Sequence, residues 1–203
     1  MNLKWNSARL RELERLYSSG FGMKDVATRL DVSLSSVNNV MQRNNIPRRK
    51  PSETNKLNFL RSPLSFKERV GLTHPEESLK LAGLMLYWAE GSKRSKCVVD
   101  LANCDEKMIS IFLKFLRTIY GVNEDKLRVY LYCYTDQNPN KLVDYWSELT
   151  KIPVSQFSKP YIKAAPDSHV HGKMEHGLVH IRYADTRLLS IIKQEIGRLT
   201  DIL

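Results

Sequence analysis

The chain has 203 residues, enough for one large domain or two small domains with buried cores, and a formal net charge of +10. This charge favours a polyanionic partner, because each Lys or Arg that contacts a phosphate releases condensed counterions. The sequence has no apolar run long enough to cross a bilayer, no signal peptide and no basic amphipathic helix, so no membrane partner is expected. Three cysteines without CxxC spacing indicate reduced thiols, and we expect an intracellular protein of the cytoplasm or nucleoid.

Residues 1–46 are predicted to form a unit of three helices. A stripe of apolar residues at helical spacing predicts the first helix over Ser7–Ser18. Two shorter helices are predicted within Met23–Asn44, with Ser33 or Ser35 as the N-cap of the second. The apolar residues expected to hold these two helices together are Val26, Ala27, Leu30, Val32, Val37, Val40 and Met41.

The outer face of the third helix is dense in amide and hydroxyl groups, which suit the edges of bases in a major groove. The candidate DNA-binding residues of this face are Ser35, Ser36, Asn38, Asn39, Gln42 and Arg43. The segment resembles the helix-turn-helix domains of resolvases and invertases, which implies that it reads double-stranded DNA. It departs from that family at Asp31, which stands where Gly is usual, but Asp tolerates left-handed backbone better than most residues. The alternative is an ordinary helical hairpin with a polar outer face.

Residues 47–73 are predicted to be a basic linker or arm. The stretch from Arg48 to Lys67 holds six basic residues and one acidic residue, Glu53. Pro47 and Pro51 are expected to stop helix growth and hold the chain extended. The candidate DNA-binding residues of this arm are Arg48, Arg49 and Lys50. An extended basic arm is expected to lie along a minor groove, as such arms do in related recombinases; a solvated linker is the alternative.

Residues 74–203 are predicted to form a second domain, of the α+β class. Helices and strands are intermixed in it without the regular alternation of a parallel sheet, so we expect a sheet covered by helices on one face. The predicted helices are Pro75–Glu90, Asp105–Tyr120, Lys141–Leu149 and Thr186–Asp201. The predicted strands are Cys97–Asn103, Lys126–Tyr134, Gln156–Lys163 and Leu178–Tyr183, with a loop at Ala164–Gly177 before the last.

Alternation along three of these strands places basic and aromatic side chains together on the face that the helices leave open. Lys, Arg, Tyr and His are the types that meet phosphates, sugars and base edges. The candidate DNA-binding residues of this face are Lys126, Arg128, Tyr130, Tyr132, Lys159, Tyr161, Lys163, His180 and Arg182. The alternative is a solvated sheet face without a partner.

The helix at Leu79–Gly91 reads LKLAGLMLYWAEG. It resembles the signature helix of the LAGLIDADG homing endonucleases, and the resemblance covers Pro75 to Leu203 in one degenerate copy. It implies a curved antiparallel sheet that sits on DNA, and a homodimer formed where two such helices pack through small residues. The small residues in question are Ala82, Gly83 and Ala89. In an active endonuclease it further implies that Glu90 is the catalytic acid and a magnesium ligand.

The resemblance has three departures that bear on activity. The LAGL at residues 81–84 lies too far from Ala89-Glu90-Gly91 to fit the family's pattern, and Met85 stands where an interface glycine is usual. Trp88 stands where the family often has a further acid. Our first hypothesis is therefore a sequence-specific double-stranded DNA-binding protein, such as a transcription regulator, without a cofactor. The alternative is a homodimeric endonuclease that cleaves DNA phosphodiesters with magnesium; the charge disfavours a simple protein-interaction module.

Overall fold

The computed structural model describes residues 5–165 and 174–201. The chain divides into two compact units, Met1–Leu64 and Ser65–Leu203. The segment 47–73, which we assign to a linker, is thereby shared between the two units. No helix in the described part of the chain is long and apolar enough to span a bilayer.

The first unit contains four helices within residues 5–64: α1 (Ser7–Ser18), α2 (Met23–Arg29), α3 (Leu34–Arg43) and α4 (Pro51–Arg61). The predicted N-cap of α3 is confirmed, because Ser33 Oγ accepts a hydrogen bond from the backbone N–H of Ser36 at 3.1 Å. Asp31 has a φ of +52°, so the left-handed geometry expected in the turn before α3 is also confirmed. The buried core of this unit is Leu13, Leu16, Tyr17, Val26, Ala27, Val37, Val40 and Met41.

Helix α4 occupies a stretch where we expect an extended arm, so that prediction is wrong for Pro51–Arg61. Pro51 stands at the start of the helix, where its fixed φ suits the first turn and its missing N–H is not needed. The Glu53 carboxylate accepts a hydrogen bond from the backbone N–H of Lys50 at 3.2 Å and closes that turn. Pro51, which we expect to stop helix growth, therefore begins a helix here.

The second unit confirms the α+β class. Its helices are α5 (His74–Glu90), α6 (Glu106–Tyr120), α7 (Pro139–Thr150) and α8 (Thr186–Thr200). Its strands are β1 (Val99–Asn103), β2 (Leu127–Tyr134), β3 (Tyr161–Lys163) and β4 (Leu178–Tyr183). Asp105 caps α6 by accepting from two backbone N–H groups, and Gly121 ends it in a left-handed conformation. Most of the predicted loop Ala164–Gly177 lies outside the described residues.

The four strands form one sheet in the order β1-β4-β2-β3. The expectation of a wholly antiparallel sheet is wrong, because β3 runs parallel to β2 while the other two pairs are antiparallel. The reason is the crossover through α7, which returns the chain to the same end of the sheet before β3 begins. β3 is also shorter than predicted. Pro160, directly before it, has no N–H to give to a ladder, so regular pairing starts at Tyr161.

The helices cover one face of this sheet. Along β2, Leu127, Val129, Leu131 and Cys133 are buried while the residues between them are half-buried or exposed, as the alternation predicts. β4 follows the same rule, with Val179, Ile181 and Tyr183 buried. These strand residues share one hydrophobic core with side chains of α5, α6, α7 and α8. The opposite face of the sheet is left open by these helices.

Helix α5 packs on α6 through a glycine. Gly83 is buried, and a Cβ at this position would overlap the ring of Phe115. The sequence assigns Gly83 to the contact with a second copy of the helix, and that assignment is wrong because Gly83 is used within the chain. Ala82 and Ala89 lie on the exposed side of α5.

Candidate nucleic-acid interface

The outer face of α3 carries the amide and hydroxyl groups predicted for it, but these side chains differ in exposure. Ser35, Asn39, Gln42 and Arg43 are exposed, whereas Ser36 and Asn38 are half-buried. The Ser36 hydroxyl accepts a hydrogen bond from Trp5 Nε1 at 2.8 Å, so this serine fastens the segment before α1 to α3. Sequence reasoning misses Trp5, because nothing in its spacing points to Ser36.

The three basic residues after α3 have different surroundings. Arg48 and Lys50 are exposed. The guanidinium of Arg49 lies 3.9 Å from the centre of the Tyr17 ring, and its backbone N–H donates to the Tyr17 hydroxyl at 2.8 Å. Arg49 therefore holds this segment to α1, while Arg48 and Lys50 present their charges to solvent.

Helix α4 adds a further cation to the first unit. The guanidinium groups of Arg29 and Arg61 lie 4.2 and 4.1 Å from the centre of the Phe21 ring. Arg61 also approaches Gly20, which has a φ of +91° and no side chain in the way. These contacts join α4 to the first three helices and keep positive charge on the surface of this unit.

The open face of the sheet gathers most of the predicted residues of the second unit into one surface. We call it the sheet surface and define it as Asp100, Arg128, Tyr130, Tyr132, Tyr161, Lys163, His180 and Arg182. Tyr132 is its centre: the ring of Tyr132 lies 5.4 Å from that of Tyr161 and 5.1 Å from that of His180, measured between ring centres. Arg182 lies 4.7 Å from the centre of the Tyr130 ring and covers it. Two groups of contacts thus cross the strands: the rings of Tyr161, Tyr132 and His180, and the guanidinium of Arg182 on the ring of Tyr130.

Asp100 is a member of this surface that sequence reasoning misses. It lies on β1 directly opposite Arg182 of β4. Its carboxylate is 2.9 Å from Nδ1 of His180 and 3.2 Å from Nε of Arg182. The alternation of buried Val99 and Leu101 places Asp100 on the open face, but its two partners depend on strand register, which the sequence does not reveal.

Two predicted residues lie away from the sheet surface. Lys126 precedes β2 in a short 3₁₀ turn, so the alternation of the strand does not apply to it. Its ammonium donates to Ser65 Oγ at 2.9 Å and lies 3.8 Å from the carboxylate of Asp185, whose side chain is fully buried. Lys159 is exposed but precedes Pro160 and β3, outside the paired part of the sheet. Both placements correct the prediction that these lysines share a face with Arg128.

The end of α5 holds the predicted catalytic acid. Glu90 is exposed at the last position of the helix. The Lys93 ammonium donates to the carbonyl oxygen of Trp88 and lies 3.5 Å from that of Tyr87, so a cation already occupies this helix end. Among residues 5–165 and 174–201 there is no group of three or more His, Cys, Asp or Glu that could hold a metal ion.

Comparison of the chain with protein-family models, with curated proteins and with solved structures finds no match. What supports a function is therefore the geometry of this molecule. Two surfaces stand out for their side-chain chemistry: the outer face of α3 with the residues that follow it, and the sheet surface of the second unit.

Proposed function

We propose that this protein is a sequence-specific double-stranded DNA-binding protein that uses both surfaces. The observation that carries the proposal is the sheet surface, where tyrosine, histidine, arginine and lysine side chains line the sheet face opposite the helices. Such residues contact phosphates, sugars and base edges.

The arrangement of the rings favours duplex DNA over a single strand. Single strands are bound by stacking bases on open aromatic faces. Here Tyr132 contacts two other rings, and Arg182 covers the ring of Tyr130. Apart from the Tyr161 ring, which is 56% exposed, the groups left for a partner are hydroxyl, imidazole, ammonium and guanidinium groups, which suit the groove edges and phosphates of a duplex.

The first unit supplies the second contact. Asn39 and Gln42 project from α3, and their amides match the donor and acceptor pair of adenine in the major groove. The exposed Arg48 and Lys50 follow at once and suit neighbouring phosphates. In this proposal α2 and α3 act as the helix-turn-helix that the sequence resembles, with α3 as the recognition helix.

The test is a binding titration of the full chain with a labelled duplex and with the single strand of the same sequence, at several salt concentrations. We expect the duplex to bind more tightly than the single strand, and affinity to fall as a power of the salt concentration. Lys114→Gln is the control, because Lys114 is exposed on α6, on the side of the sheet that the helices cover. Equal affinity for the two forms, or affinity independent of salt, contradicts the proposal.

A second candidate function is the homodimeric, magnesium-dependent endonuclease of the LAGLIDADG type. The observation in its favour is an apolar stripe on the exposed side of α5, where Leu81, Met85 and Trp88 are 49, 36 and 46% exposed. A stripe at this spacing fits a second copy of the helix. In that dimer Glu90 of each chain would bind the metal ion, which would activate water for attack on a phosphodiester.

Other features of α5 weigh against the endonuclease. Glu90 is the only carboxylate in the last turn of this fully described helix, and the Lys93 ammonium held there repels a second cation. Nicking of supercoiled plasmid in magnesium, absent in EDTA and abolished in Glu90→Gln, would support cleavage. If wild type and Glu90→Gln leave the plasmid equally intact, the protein does not cleave DNA, and DNA binding is the only function of the two that stands.

A further inference from the structure

Asp100, on the edge strand β1, is an acidic residue of a surface that is otherwise basic and aromatic. Its side chain is only 14% exposed. A carboxylate in this position repels phosphates and should weaken DNA binding. Its presence on the sheet surface therefore calls for a role other than contact with the backbone of DNA.

The position of Asp100 is set by backbone contacts on both sides of β1. The strand pairs with β4 over its whole length, which places Asp100 opposite Arg182. The carbonyl oxygen of Asp100 also accepts a hydrogen bond from the backbone N–H of Ser92 at 2.8 Å. The carboxylate thus projects from a rigid strand and not from a loop, as accurate positioning of other groups requires.

The contact with Asp100 fixes which nitrogen of His180 carries a proton. Nδ1 lies 2.9 Å from Oδ1 of Asp100, so the proton sits on Nδ1 and points to the carboxylate. In the neutral ring Nε2, on the other side, is then an acceptor. An acceptor suits the exocyclic amino groups of cytosine and adenine, which distinguish those bases in the major groove.

Asp100 also forms an ion pair with Arg182. Oδ2 lies 3.2 Å from Nε of Arg182, while the ring of Tyr130 lies 4.7 Å from its guanidinium carbon. Nε makes this ion pair without a hydrogen bond, and the ring covers one face of the guanidinium, which leaves the fork of its two terminal amino groups to donate to a partner. Such a fork matches O6 and N7 of guanine.

We propose that Asp100 is a positioning residue that holds His180 and Arg182 in the orientation in which they read base edges. The sheet surface then contributes sequence discrimination as well as affinity. Asp100 weakens binding to every sequence through its charge, but it increases the difference in affinity between the preferred sequence and others, as repulsive elements in specific interfaces do. This inference rests on the proposed DNA-binding function.

The test uses the full chain and a duplex that wild-type protein selects from a random-sequence library, together with the single-base-pair variants of that duplex. Asp100→Asn keeps the size of the side chain and removes its charge. We expect binding to random duplex to tighten by about two- to tenfold, because repulsion is removed. Discrimination is the ratio of the affinities for the selected duplex and for a single-base-pair variant. At one group of base pairs this ratio should fall by about fivefold or more in Asp100→Asn, and Arg182→Ala should lower it within the same group. Asn39→Ala should reduce discrimination at other base pairs.

Asp144→Asn is the matched control, because Asp144 is exposed on α7, which packs on the covered side of the sheet, and the change in net charge is the same. It should leave discrimination unchanged. The inference is overturned if Asp100→Asn changes specific and random binding by the same factor, or if wild type selects no preferred duplex. If Asp100→Asn lowers the thermal stability and weakens binding to all sequences by the same factor, Asp100 has a structural role only, and the inference is overturned too.

Two further variants separate this inference from the proposed function. If Tyr132→Ala and Lys163→Gln leave duplex affinity unchanged, the sheet surface does not bind DNA and the proposed function fails at this surface. If these variants weaken binding while Asp100→Asn leaves discrimination intact, only the role of Asp100 fails.

Discussion

Gly83 of α5 packs directly on the ring of Phe115 of α6, and both residues are buried. This contact divides α5 into two faces with different tasks. Gly83, Leu84 and Tyr87 form the face that belongs to the core, while Leu81, Met85 and Trp88 remain exposed on the other. The small residue that lets helices approach closely is thus used within the chain, and any helix pairing between chains must use the opposite face.

The packing at Gly83 makes a prediction about stability. Gly83→Ala should lower the free energy of unfolding by about 1–3 kcal/mol, because the added methyl overlaps Phe115 in a packed core. The higher helix propensity of Ala offsets part of this loss, by about 1 kcal/mol. Urea denaturation measures the change. Ala82→Leu, on the exposed side of the same helix, is the control and should leave the stability of the chain unchanged. It should instead dissociate any dimer formed through α5. A Gly83→Ala protein as stable as wild type would contradict the packing of Gly83 on Phe115.

The exposed amides of α3 make a prediction about sequence preference. Asn39→Ala or Gln42→Ala should weaken binding to the preferred duplex by about 1–3 kcal/mol and relax its sequence preference, because the alanine cannot hydrogen-bond to a base edge. Competition titrations with specific and random duplex measure both effects. Ser36→Ala should act differently: it removes the acceptor for Trp5 and should lower stability. Equal losses on the two duplexes would show that α3 contacts phosphates only.

The basic residues after α3 make a prediction about salt dependence. Arg48→Gln and Lys50→Gln together should reduce the slope of log affinity against log salt, on every sequence. The reduction should be about 0.9 for each phosphate that the variant no longer neutralises. Arg49→Gln should lower thermal stability as well, because its guanidinium packs on Tyr17. A slope that stays at the wild-type value in the double variant would assign these charges to solvation.

Asp185 makes a prediction about pH. It caps α8, and its buried carboxylate accepts from Ser65 Oγ at 2.7 Å and lies 3.3 Å from Nη2 of Arg187. Burial acts to raise the pKa of this carboxyl group, but the bonds from Arg187 and Ser65 outweigh it and hold the pKa below its ordinary value.

Because the folded-state pKa is depressed, the stabilisation by Asp185 is present above the unfolded pKa of about 3.9 and is lost as the pH falls through the folded pKa. Asp185→Asn should therefore lower the free energy of unfolding by about 2–4 kcal/mol at pH 7, and by less below pH 4. Denaturation curves at several pH values test this. A difference that stays constant down to pH 2 would contradict it.

The sequence predicts most helices and the buried sides of β2 and β4, because their apolar periodicity is long and regular. It does not predict α4, since Pro51 is equally compatible with the end of one helix and the start of another. It misplaces Lys126. This residue continues the alternation of β2 in the sequence but lies one residue before the strand begins. The parallel pairing of β3 depends on the crossover through α7, which is a long-range relation.

The residues missed at the candidate site have a common cause. Trp5 meets Ser36 and Asp100 meets His180 only through contacts between segments distant in the chain. Periodicity shows which face a residue occupies, but the partner on that face is set by helix packing or strand register. The same limit explains Gly83, whose small size indicates a close helix contact without indicating which helix provides it.

The central claim is that α3 and the sheet surface both bind the same duplex. Hydroxyl-radical footprinting of the full chain on a selected duplex tests it most directly. We expect two separate protected segments in wild type, with one of them absent in the double variant Tyr132→Ala and Lys163→Gln and the other kept. A single protected segment that is unchanged in this variant, with α3 substitutions removing all of it, would contradict the claim.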